Sequence, residues 1–387
     1  MSYYEKSLKL HEDVKGKIGI ANKVPLNDKE DLSMAYTPGV AAPCLKIKDN
    51  DQDVYKYTMK GNSVAVVTDG SAVLGLGNIG AKAALPVMEG KAVLFKAFAD
   101  IDAIPICIET QDTDEIVSIV RNISPTFGGI NLEDIAAPRC FEIEDRLKEE
   151  LNIPVFHDDQ HGTAIVTGAA LINALKCVKK EISDVKIVIS GAGAAGTAVA
   201  KMILKMGGKN VIVCDSKGIL VADRSDGLSK DKKQIASITN PEAVGGSLAD
   251  AMVAADVFIG VSSPKIVDVE MVERMNDDAI IFAMSNPEPE IMPDLAIKGG
   301  AKVVGTGRSD YANQINNVLA FPGVFKGALM AKAEKITDEM KVAAAEAIAL
   351  CVADSAICET NIIPSVFQEG VADAVADAVA DAWQKHR

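Results

Sequence analysis

The sequence predicts an α/β protein made of two units, and three observations support this fold class. Apolar runs of strand length alternate with helical patterns along the chain, an order typical of parallel sheets covered by helices. The length of 387 residues exceeds one ordinary core and suggests about two or three domains. An acidic stretch, "VFHDDQHGTA" at 155–164, separates an earlier series of strands from a later one. We therefore expect domains 1–160 and 161–387.

The predicted strands are short apolar runs on both sides of this stretch. At the C-terminus, "VADAVADAVADAW" places Val371, Val375 and Val379 on one stripe of a helix. This stripe predicts a final helix that packs back onto the protein or contacts a second copy. The strand-like runs are "SVAVVTDG", "AIPICIET", "VKIVISG", "NVIVCDS", "DVFIGVSS", "AIIFAMSNP" and "AKVVGTG".

Composition limits the partners and the compartment. A net charge of −14 argues against nucleic acid or an anionic membrane as the main partner, since both are bound by basic patches. The seven cysteines stand singly in apolar runs without a CxxC pair, which predicts buried free thiols, no disulfide and no zinc-thiolate site. No signal-peptide stretch and no window of about 18 apolar residues are evident. We expect a cytoplasmic protein.

The pattern GxGxxG occurs twice, and the second copy predicts a dinucleotide site. The strand "VKIVIS" precedes it, the helix "GTAVAKMILKMG" follows, and the next strand ends in Asp215, as in a Rossmann domain. The helix N-terminus would receive a pyrophosphate, and Asp215 would accept a ribose hydroxyl. The first copy, at Gly75, Gly77 and Gly80, lacks such an acid and predicts a tight turn or a substrate-facing loop. The predicted cofactor-binding residues are Gly191, Ala192, Gly193, Ala194, Ala195, Gly196, Asp215, Ser216 and Lys217.

The choice between NAD and NADP rests on three adjacent residues. The carboxylate of Asp215 would repel a 2′-phosphate and favours NAD. Ser216 and Lys217 directly after it would attract the phosphate and favour NADP. We predict NAD, with NADP as the alternative.

Two pairs of acids interrupt apolar sequence. Asp158 and Asp159 follow the run "NIPVF", and burying carboxylates is costly without compensation. One interpretation is a solvated turn in which Asp158 is the N-cap of the helix "GTAIVTGAALINALK"; the other is a site. Glu133 and Asp134 form the second pair, and convergence of the two pairs would require a divalent cation. Oxygen ligands favour Mg²⁺ or Mn²⁺ over zinc, so we assign His157 and His161 supporting roles.

A series of motifs in unbroken order resembles the malic enzymes of the compact bacterial kind. The resemblance implies oxidation of malate with NAD(P) and a divalent metal, release of CO₂ to give pyruvate, and a homodimer. Some relatives carry an additional phosphotransacetylase-like domain, which we expect to be missing here. The motifs are "AYTPGVA", "LGLGNIG", "PVMEGKAVLFKAFADID", "TFGGINLEDI", "IPVFHDDQHGTA", "SGAGAAG", "SNPEPE", "TGRSDYANQINN" and "FPGVFKGAL".

The resemblance also implies roles for individual residues. Without it, a lysine in such a setting is more often on the surface, a tyrosine before Thr-Pro-Gly is a packing anchor, and the asparagines form turns. A lysine base must be neutral, so we expect partial burial and the metal to lower its pKa. The resemblance implies Lys91 as the general base, also in contact with substrate, and Tyr36 as the general acid. It implies Glu133, Asp134 and Asp159 as metal ligands, with Asp158 beside them. Asn286 and Asn317 would contact the substrate, and Asn286 would also contact the cofactor.

One departure from the family and three rival functions remain. Longer family members have an arginine for a substrate carboxylate where this chain has Ala72, so the metal, Lys91 and the asparagine amides would have to hold that charge. A malolactic-type enzyme would retain its cofactor and release lactate. A dehydrogenase of 2-hydroxy or amino acids would need no metal. A dinucleotide-sensing protein would leave the acids and Lys91 without a role.

Overall fold

The computed structural model describes residues 2–73, 75–224 and 228–386. Within these ranges the strands form two sheets, one before and one after the acidic stretch, so the predicted fold class is confirmed. The strands of the first sheet are β1 Ser63–Thr68, β2 Asp102–Cys107, β3 Gly129–Leu132 and β4 Val155–His157. The strands of the second sheet are β5 Lys186–Ser190, β6 Asn210–Asp215, β7 Gly218–Ile219, β8 Val257–Gly260, β9 Ile280–Ala283 and β10 Val303–Thr306.

Helices cover the sheets and connect their strands. In the first half they are α1 Tyr3–Val14, α2 Lys29–Ala35, α3 Ala41–Asp49, α4 Val54–Tyr57, α5 Ala81–Ala99, α6 Thr113–Ile123, α7 Arg139–Glu150 and α8 Asp158–Val178. In the second half they are α9 Ala194–Lys205, α10 Lys230–Ile238, α11 Leu248–Met252, α12 Val269–Glu273, α13 Pro293–Lys298, α14 Phe321–Met330, α15 Asp338–Leu350 and α16 Val371–His386. Short 3₁₀ turns are Asp51–Asp53, Met59–Asn62, Ser124–Thr126, Asn317–Leu319 and Asp354–Ala356.

Strand β1 shows why the predicted strands read as continuous apolar runs. All six of its residues are buried, because helices cover both faces of the sheet. Val64 and Val66 belong to the same core cluster as Phe95 of α5. Ala65 and Val67 belong to a different cluster on the opposite face, as expected from the alternation of side chains along a strand.

Both sheets contain a point where the strand order reverses. The first sheet has the order β2-β1-β3-β4, and the second has β10-β9-β8-β5-β6-β7. All pairings in both sheets are parallel except that of β6 with β7. Reversal therefore occurs between β1 and β3, and between β5 and β8. Loops diverge at the carboxyl ends of such strand pairs and leave a crevice, where ligands bind in α/β proteins.

Helix α8 connects the two sheets through the core. By length and composition it is apolar enough to cross a membrane, with a mean hydropathy of 1.2 over its best window. Our expectation that no such window exists was therefore wrong. However, 67 % of that window is buried inside the protein, and the helix packs against α9 and α15. Helix α8 is thus the core helix that fixes the two sheets relative to each other.

The C-terminal helix packs back onto the protein, as predicted. Helix α16 lies against α14 and α15, and its stripe of valines is buried together with Trp383. Two glycines of α14 permit the close approach of α16 to α14. A Cβ on Gly323 would lie 2.6 Å from that of Val375, and one on Gly327 would meet the carbonyl oxygen of Ala376.

The N-terminal segment contrasts with this core, because no residue from 2 to 59 is buried. It is held by a few polar contacts, among them the backbone N–H of Lys17 with Glu89 at 2.9 Å and the ammonium of Lys23 with Asp102 at 2.7 Å. All seven cysteines are free. The prediction that the thiols are buried is confirmed for Cys140 and Cys214 and wrong for the exposed Cys44 and Cys358. The remaining three cysteines are partly buried.

Candidate functional site

Three acids from two elements meet beside the reversal point of the first sheet. Glu133 and Asp134 follow β3, and Asp159 is the second residue of α8. One carboxylate oxygen of each lies within 4.8 Å of the others. Glu133 and Asp134 are only 5 % and 4 % exposed, and Asp159 accepts the backbone N–H of Asp134 at 2.8 Å. The structure thus brings together the three residues predicted to bind metal.

Lys91 of α5 lies next to these acids and is buried. Its Nζ is 2.6 Å from Oδ2 of Asp158 and 2.9 Å from Oε1 of Glu133. The ring of Phe321 lies 4.1 Å from the same ammonium. Asp158 also accepts the side-chain amide of Asn317 at 2.5 Å. Lys91 is therefore no surface lysine, and Asn317 contacts the same carboxylate.

The alternative interpretation of Asp158 as a helix cap is wrong. The N-cap of α8 is His157, which makes no side-chain cap bond, and Asp158 is the first helical residue. Its carboxylate is completely buried. A capping side chain stays near the solvated helix end, whereas the ion pair with Lys91 draws Asp158 into the interior.

The electrostatics of the cluster favour a bound cation. Burial lowers the pKa of Lys91, but Asp158 and Glu133 outweigh it and raise the pKa, contrary to our expectation. Burial and the neighbouring acids Asp158, Asp159 and Asp134 raise the pKa of Glu133 well above its usual range, although Lys91 opposes this. Four carboxylates thus face one ammonium. A divalent cation with oxygen ligands would balance this excess of negative charge, so the residues fit Mg²⁺ or Mn²⁺.

A buried carboxylate on α7, which the sequence did not reveal, supports the start of α8. Glu144 accepts the backbone N–H of His157 at 3.0 Å and the amide of Gln160 at 3.2 Å. It also pairs with Lys148 at 2.8 Å and lies 2.9 Å from Nε2 of His161. Burial lowers the pKa of His161 to about 3, so we assign its ring as neutral and as a donor to Glu144. This network orients the turn that carries Asp158 and Asp159.

A cavity of about 590 Å³ lies between the acid cluster and the second sheet. Asp159 and Asn317 line it together with Ala194, Ala195 and Asn286. Ala72 and Gly75 of the first glycine motif also line this cavity, and Gly77 closes a turn onto the carbonyl of Val73 at 2.8 Å. The first motif thus forms a tight turn, one of the two predicted roles, and it also lies at the cavity. That it faces a substrate stays a prediction.

A second cavity, of about 780 Å³, adjoins the first, since Ala137 and Ser262 line both. Gly191 has a φ of 118°, and a Cβ on Gly196 would meet the carbonyl oxygen of Gly191. A Cβ on Gly193 would meet nothing within 4 Å, so the backbone lies open to a ligand there. The loop leads into the N-terminus of α9, where backbone N–H groups favour a pyrophosphate. The predicted cofactor residues lining this cavity are Gly191, Ala192, Gly193, Asp215, Ser216 and Lys217.

The comparisons with known proteins cover nearly the whole chain. Residues 15–148 match the malic enzyme N-terminal domain, and residues 160–384 match the malic enzyme NAD binding domain. The chain belongs to the malic enzyme family. It is 57 % identical over 374 residues to the bifunctional malic/malolactic enzyme of Bacillus subtilis, covering 97 % of this chain and 91 % of the relative. It is 56 % identical over 358 residues to the NAD-dependent malic enzyme of Geobacillus stearothermophilus, covering 92 % and 74 %. The crystal structure of malic enzyme from Pyrococcus horikoshii superposes with a TM-score of 0.96 at 49 % identity, covering all of this chain and 91 % of that one.

In this malic enzyme the acid at the end of β6 is surrounded by cations. Oδ1 of Asp215 accepts the backbone N–H of Lys217 at 2.9 Å and Nη1 of Arg224 at 2.9 Å. Oδ2 accepts Nη2 of Arg224 at 2.7 Å and Nζ of Lys232 at 2.6 Å. Burial raises the pKa of Asp215, but these bonds outweigh it and hold the pKa well below its usual range. Sequence reasoning missed Arg224 and Lys232, which no local pattern connects to Asp215.

Glu290 is a second functional candidate that sequence reasoning missed, although it lies in the quoted motif "SNPEPE". It is completely buried and accepts the backbone N–H groups of Ser262 at 2.8 Å and Ser285 at 3.0 Å. Burial raises its pKa despite these bonds. Glu290 thus ties the loop after β8 to the loop after β9, which carries Asn286 into the cavity.

Tyr36 is the one predicted catalytic residue that lies apart from the cluster. It follows α2 in the uncovered N-terminal segment, and it is 67 % exposed. It is not among the residues that line either cavity. The structure brings Lys91 to the acids but leaves Tyr36 at the surface of the chain.

Proposed function

We propose that this malic enzyme oxidises (S)-malate with NAD(P), and that CO₂ and pyruvate are the products. One observation carries the proposal: Asp159 of the acid cluster lines a cavity together with Ala194 and Ala195 of the Rossmann glycine loop. The buried Lys91 pairs with Glu133 of the same cluster, so a cation site with a base beside it adjoins the volume that would receive the hydride acceptor. A metal-independent dehydrogenase would not need the acid cluster, and a sensing protein would need neither the acids nor Lys91.

The residues act in a defined order. When bound, the cation supplies positive charge for the hydroxyl and a carboxylate of malate, and the dinucleotide accepts the hydride. Glu133, Asp134 and Asp159 hold the cation. Asp158, whose Oδ2 lies 2.6 Å from Nζ of Lys91, is the group placed to take the lysine's proton. The charge of a bound cation would lower the lysine pKa, which Asp158 and Glu133 raise. The neutral amine then takes the proton of the C2 hydroxyl.

The side chains at the cavity wall orient the substrate. Asn286 and Asn317 both line the cavity, and their amides would hold the carboxylates of malate, the task of the arginine that Ala72 replaces. Asn286 also lies where the nicotinamide would reach the substrate. The glycine loop and residues Asp215, Ser216 and Lys217 would hold the rest of the dinucleotide.

We further propose a homodimer in which Tyr36 of one copy serves the site of the other. The exposed segment leaves the body at Lys23, bound to Asp102 at the start of β2. It returns at Asn62, which donates to the carbonyl of Asp100 at 2.7 Å. Both anchors lie at the amino ends of the strands, whereas the acids follow the carboxyl ends. Between these anchors Tyr36 is 67 % exposed, so we propose that it does not serve the site of its own chain.

Apolar exposure supports the same arrangement. Leu32, Met34 and Tyr36, close together in the sequence, are 49 %, 62 % and 67 % exposed, and a patch of exposed apolar residues often marks a protein interface. A second copy that covers this segment would bury them and bring the tyrosine hydroxyl to the enolate at C3, which it protonates to give pyruvate.

Mixed dimers test the dimer and the role of Tyr36 together. Lys91→Ala and Tyr36→Phe should each be inactive alone. After mixing and subunit exchange, a dimer with one copy of each contains one intact site if Tyr36 acts across the interface, so about a quarter of all sites recover. No recovery despite proven exchange, or a monomer by light scattering, would refute the proposal.

Initial rates test the reaction itself. We expect malate-dependent formation of NADH or NADPH and of pyruvate with Mn²⁺ or Mg²⁺, and none in EDTA. Lactate without net reduction of the cofactor would instead indicate malolactic activity. Full activity in EDTA would indicate a metal-independent dehydrogenase.

Domain division and location belong to the same proposal. We place the border between a catalytic domain and a Rossmann domain near residue 160, where α8 starts between the two sheets. We place the enzyme in the cytoplasm, where its free cysteines would remain reduced.

A further inference from the structure

The imidazole of His157 is buried without a hydrogen-bond partner. It is completely enclosed at the end of β4, and neither ring nitrogen is hydrogen-bonded to any of the described residues. An imidazole always carries at least one N–H group, and a buried donor without an acceptor is costly. Such a group calls for an explanation, and a partner that is reached only in another state of the site supplies one.

An acceptor lies just beyond bonding distance. Nε2 of His157 is 3.4 Å from Oδ2 of Asp159, whereas an N–H···O bond usually spans about 2.7–3.2 Å. Asp159 is one of the three acids that could hold a cation. Its side chain is 35 % exposed, so the carboxylate has room to turn. A small rotation of this carboxylate would therefore complete the bond.

The imidazole itself is held in place. His157 pairs with Leu132 in the register of β3 and β4, and its backbone N–H donates to Glu144 at 3.0 Å. Its side chain shares a face of the sheet with that of Val155, two residues earlier, which belongs to a packed apolar cluster. The donor is therefore fixed, and the acceptor is the partner that can move.

Glu133 shows the same arrangement already complete. Its Oε2 accepts the side-chain amide of the buried Asn131 at 2.8 Å, which leaves Oε1 for Lys91 at 2.9 Å. Donors behind a ligating carboxylate fix its orientation, and their loss typically weakens metal binding about 10- to 100-fold. Among the described residues, His157 is placed to be the equivalent side-chain donor for Asp159.

We propose that His157 is a positioning residue for the cation site: when Asp159 turns onto a divalent cation, Nε2–H of His157 donates to Oδ2 of that carboxylate. Pairing of the imidazole then accompanies binding of the cation, so this donor adds to metal affinity and not to the stability of the empty protein. The role differs from that of His161, whose ring bonds to Glu144. The inference rests on the proposed function only in taking the three clustered acids as the cation site.

Mn²⁺ binding to the full chain, measured by EPR of the free ion without malate or turnover, tests this role. His157→Phe keeps a ring in the same space but has no N–H. It should raise the Kd for Mn²⁺ about tenfold or more, without lowering Tm in EDTA, because the empty protein makes no bond at that position. His157→Gln, whose amide can place an N–H near the position of Nε2, should restore the Kd to within about threefold of the parent. The control His386→Phe removes an exposed histidine and should leave the Kd unchanged.

An unchanged Kd in His157→Phe, or a loss of affinity that His157→Gln does not restore, would overturn the inference. NMR of the parent labelled with ¹⁵N-histidine tests it without a variant that could misfold. The diamagnetic ion Mg²⁺ should shift the Nε2–H signal of His157, which is the signal missing from His157→Gln, and the absence of a shift would overturn the inference as well. No Mn²⁺ binding by the parent would overturn the cation site together with the inference. Failure of malate oxidation with Mn²⁺ binding and its dependence on His157 intact would overturn the proposed function alone.

Discussion

Replacing one carboxylate of the acid cluster should uncouple metal binding from folding. Asp159→Asn keeps the side chain's shape and an oxygen that can accept the backbone N–H of Asp134, a bond of 2.8 Å. It removes one of three anionic ligands. A bond to a charged group contributes about 1.5–3 kcal/mol, so we expect Mn²⁺ affinity to fall about 10- to 100-fold.

Thermal stability converts that loss into a measurable shift. Mn²⁺ at about 100 times its Kd stabilises the parent by about 2.7 kcal/mol, which corresponds to a rise in Tm of about 3 °C for a chain of this size. After a hundredfold loss of affinity, the same Mn²⁺ concentration gives about 0.4 kcal/mol, or about 0.5 °C. The control Glu142→Gln, on the exposed face of α7, should keep the full shift.

The assay is a thermal melt of each variant with EDTA and with Mn²⁺, followed by malate oxidation at saturating Mn²⁺. We expect the rate of Asp159→Asn to fall by several orders of magnitude, because polarisation of the substrate is lost together with affinity. An unchanged Mn²⁺ shift in Tm, or full activity in EDTA, would refute the assignment of these acids as the metal site.

Three further predictions concern other parts of the molecule. Tyr36→Phe should slow exchange of the pyruvate methyl protons with deuterium, measured by NMR, more than it slows reduction of oxaloacetate. Lys91→Ala should abolish malate oxidation. Exchange at the parent rate in Tyr36→Phe would show that Tyr36 is not the general acid. The folded-state pKa of Glu290 is raised, so the free energy of unfolding should fall as pH rises from its unfolded pKa through its folded pKa. Glu290→Gln should flatten this fall in urea titrations across that pH range. An unchanged pH profile of the unfolding free energy would contradict the prediction. Trp383→Ala should lower the free energy of unfolding by about 3–5 kcal/mol. The control Gln384→Ala, at an exposed neighbouring position, should lower it little in the same urea titration. Equal losses would show that burial of Trp383 does not stabilise the fold.

The local sequence pattern was sufficient to predict the structure where residues close together in the chain determine it. The strands could be predicted from their apolar runs because helices cover both faces of each sheet. The loop at Gly191 could be predicted because strand, turn and helix follow each other directly in the sequence. The approach of Glu133 to Asp159 was also predictable, since both follow strands of one parallel sheet and carboxyl ends of such strands share an edge.

The sequence pattern was insufficient where the environment of a side chain depends on a contact with a residue far away in the sequence. Asp158 has the residue type of a helix cap, but a lysine on another helix, 67 positions earlier, draws it into the interior. The charge of Asp215 depends on cations from a loop and a helix beyond β7. The exposure of Cys44 follows from the uncovered N-terminal segment, which its own apolar residues would not suggest.

The packing of α16 on α14 has a consequence for the synthesis of the protein. Phe321, at the start of α14, lies against the ammonium of Lys91, while Gly323 and Gly327 of the same helix receive α16. The lysine is encoded early and the helix that completes its surroundings late. A chain that has been synthesised only as far as a point between residues 321 and 371, on the ribosome or released there by a premature stop codon, would therefore contain every residue proposed for catalysis and still lack a formed site.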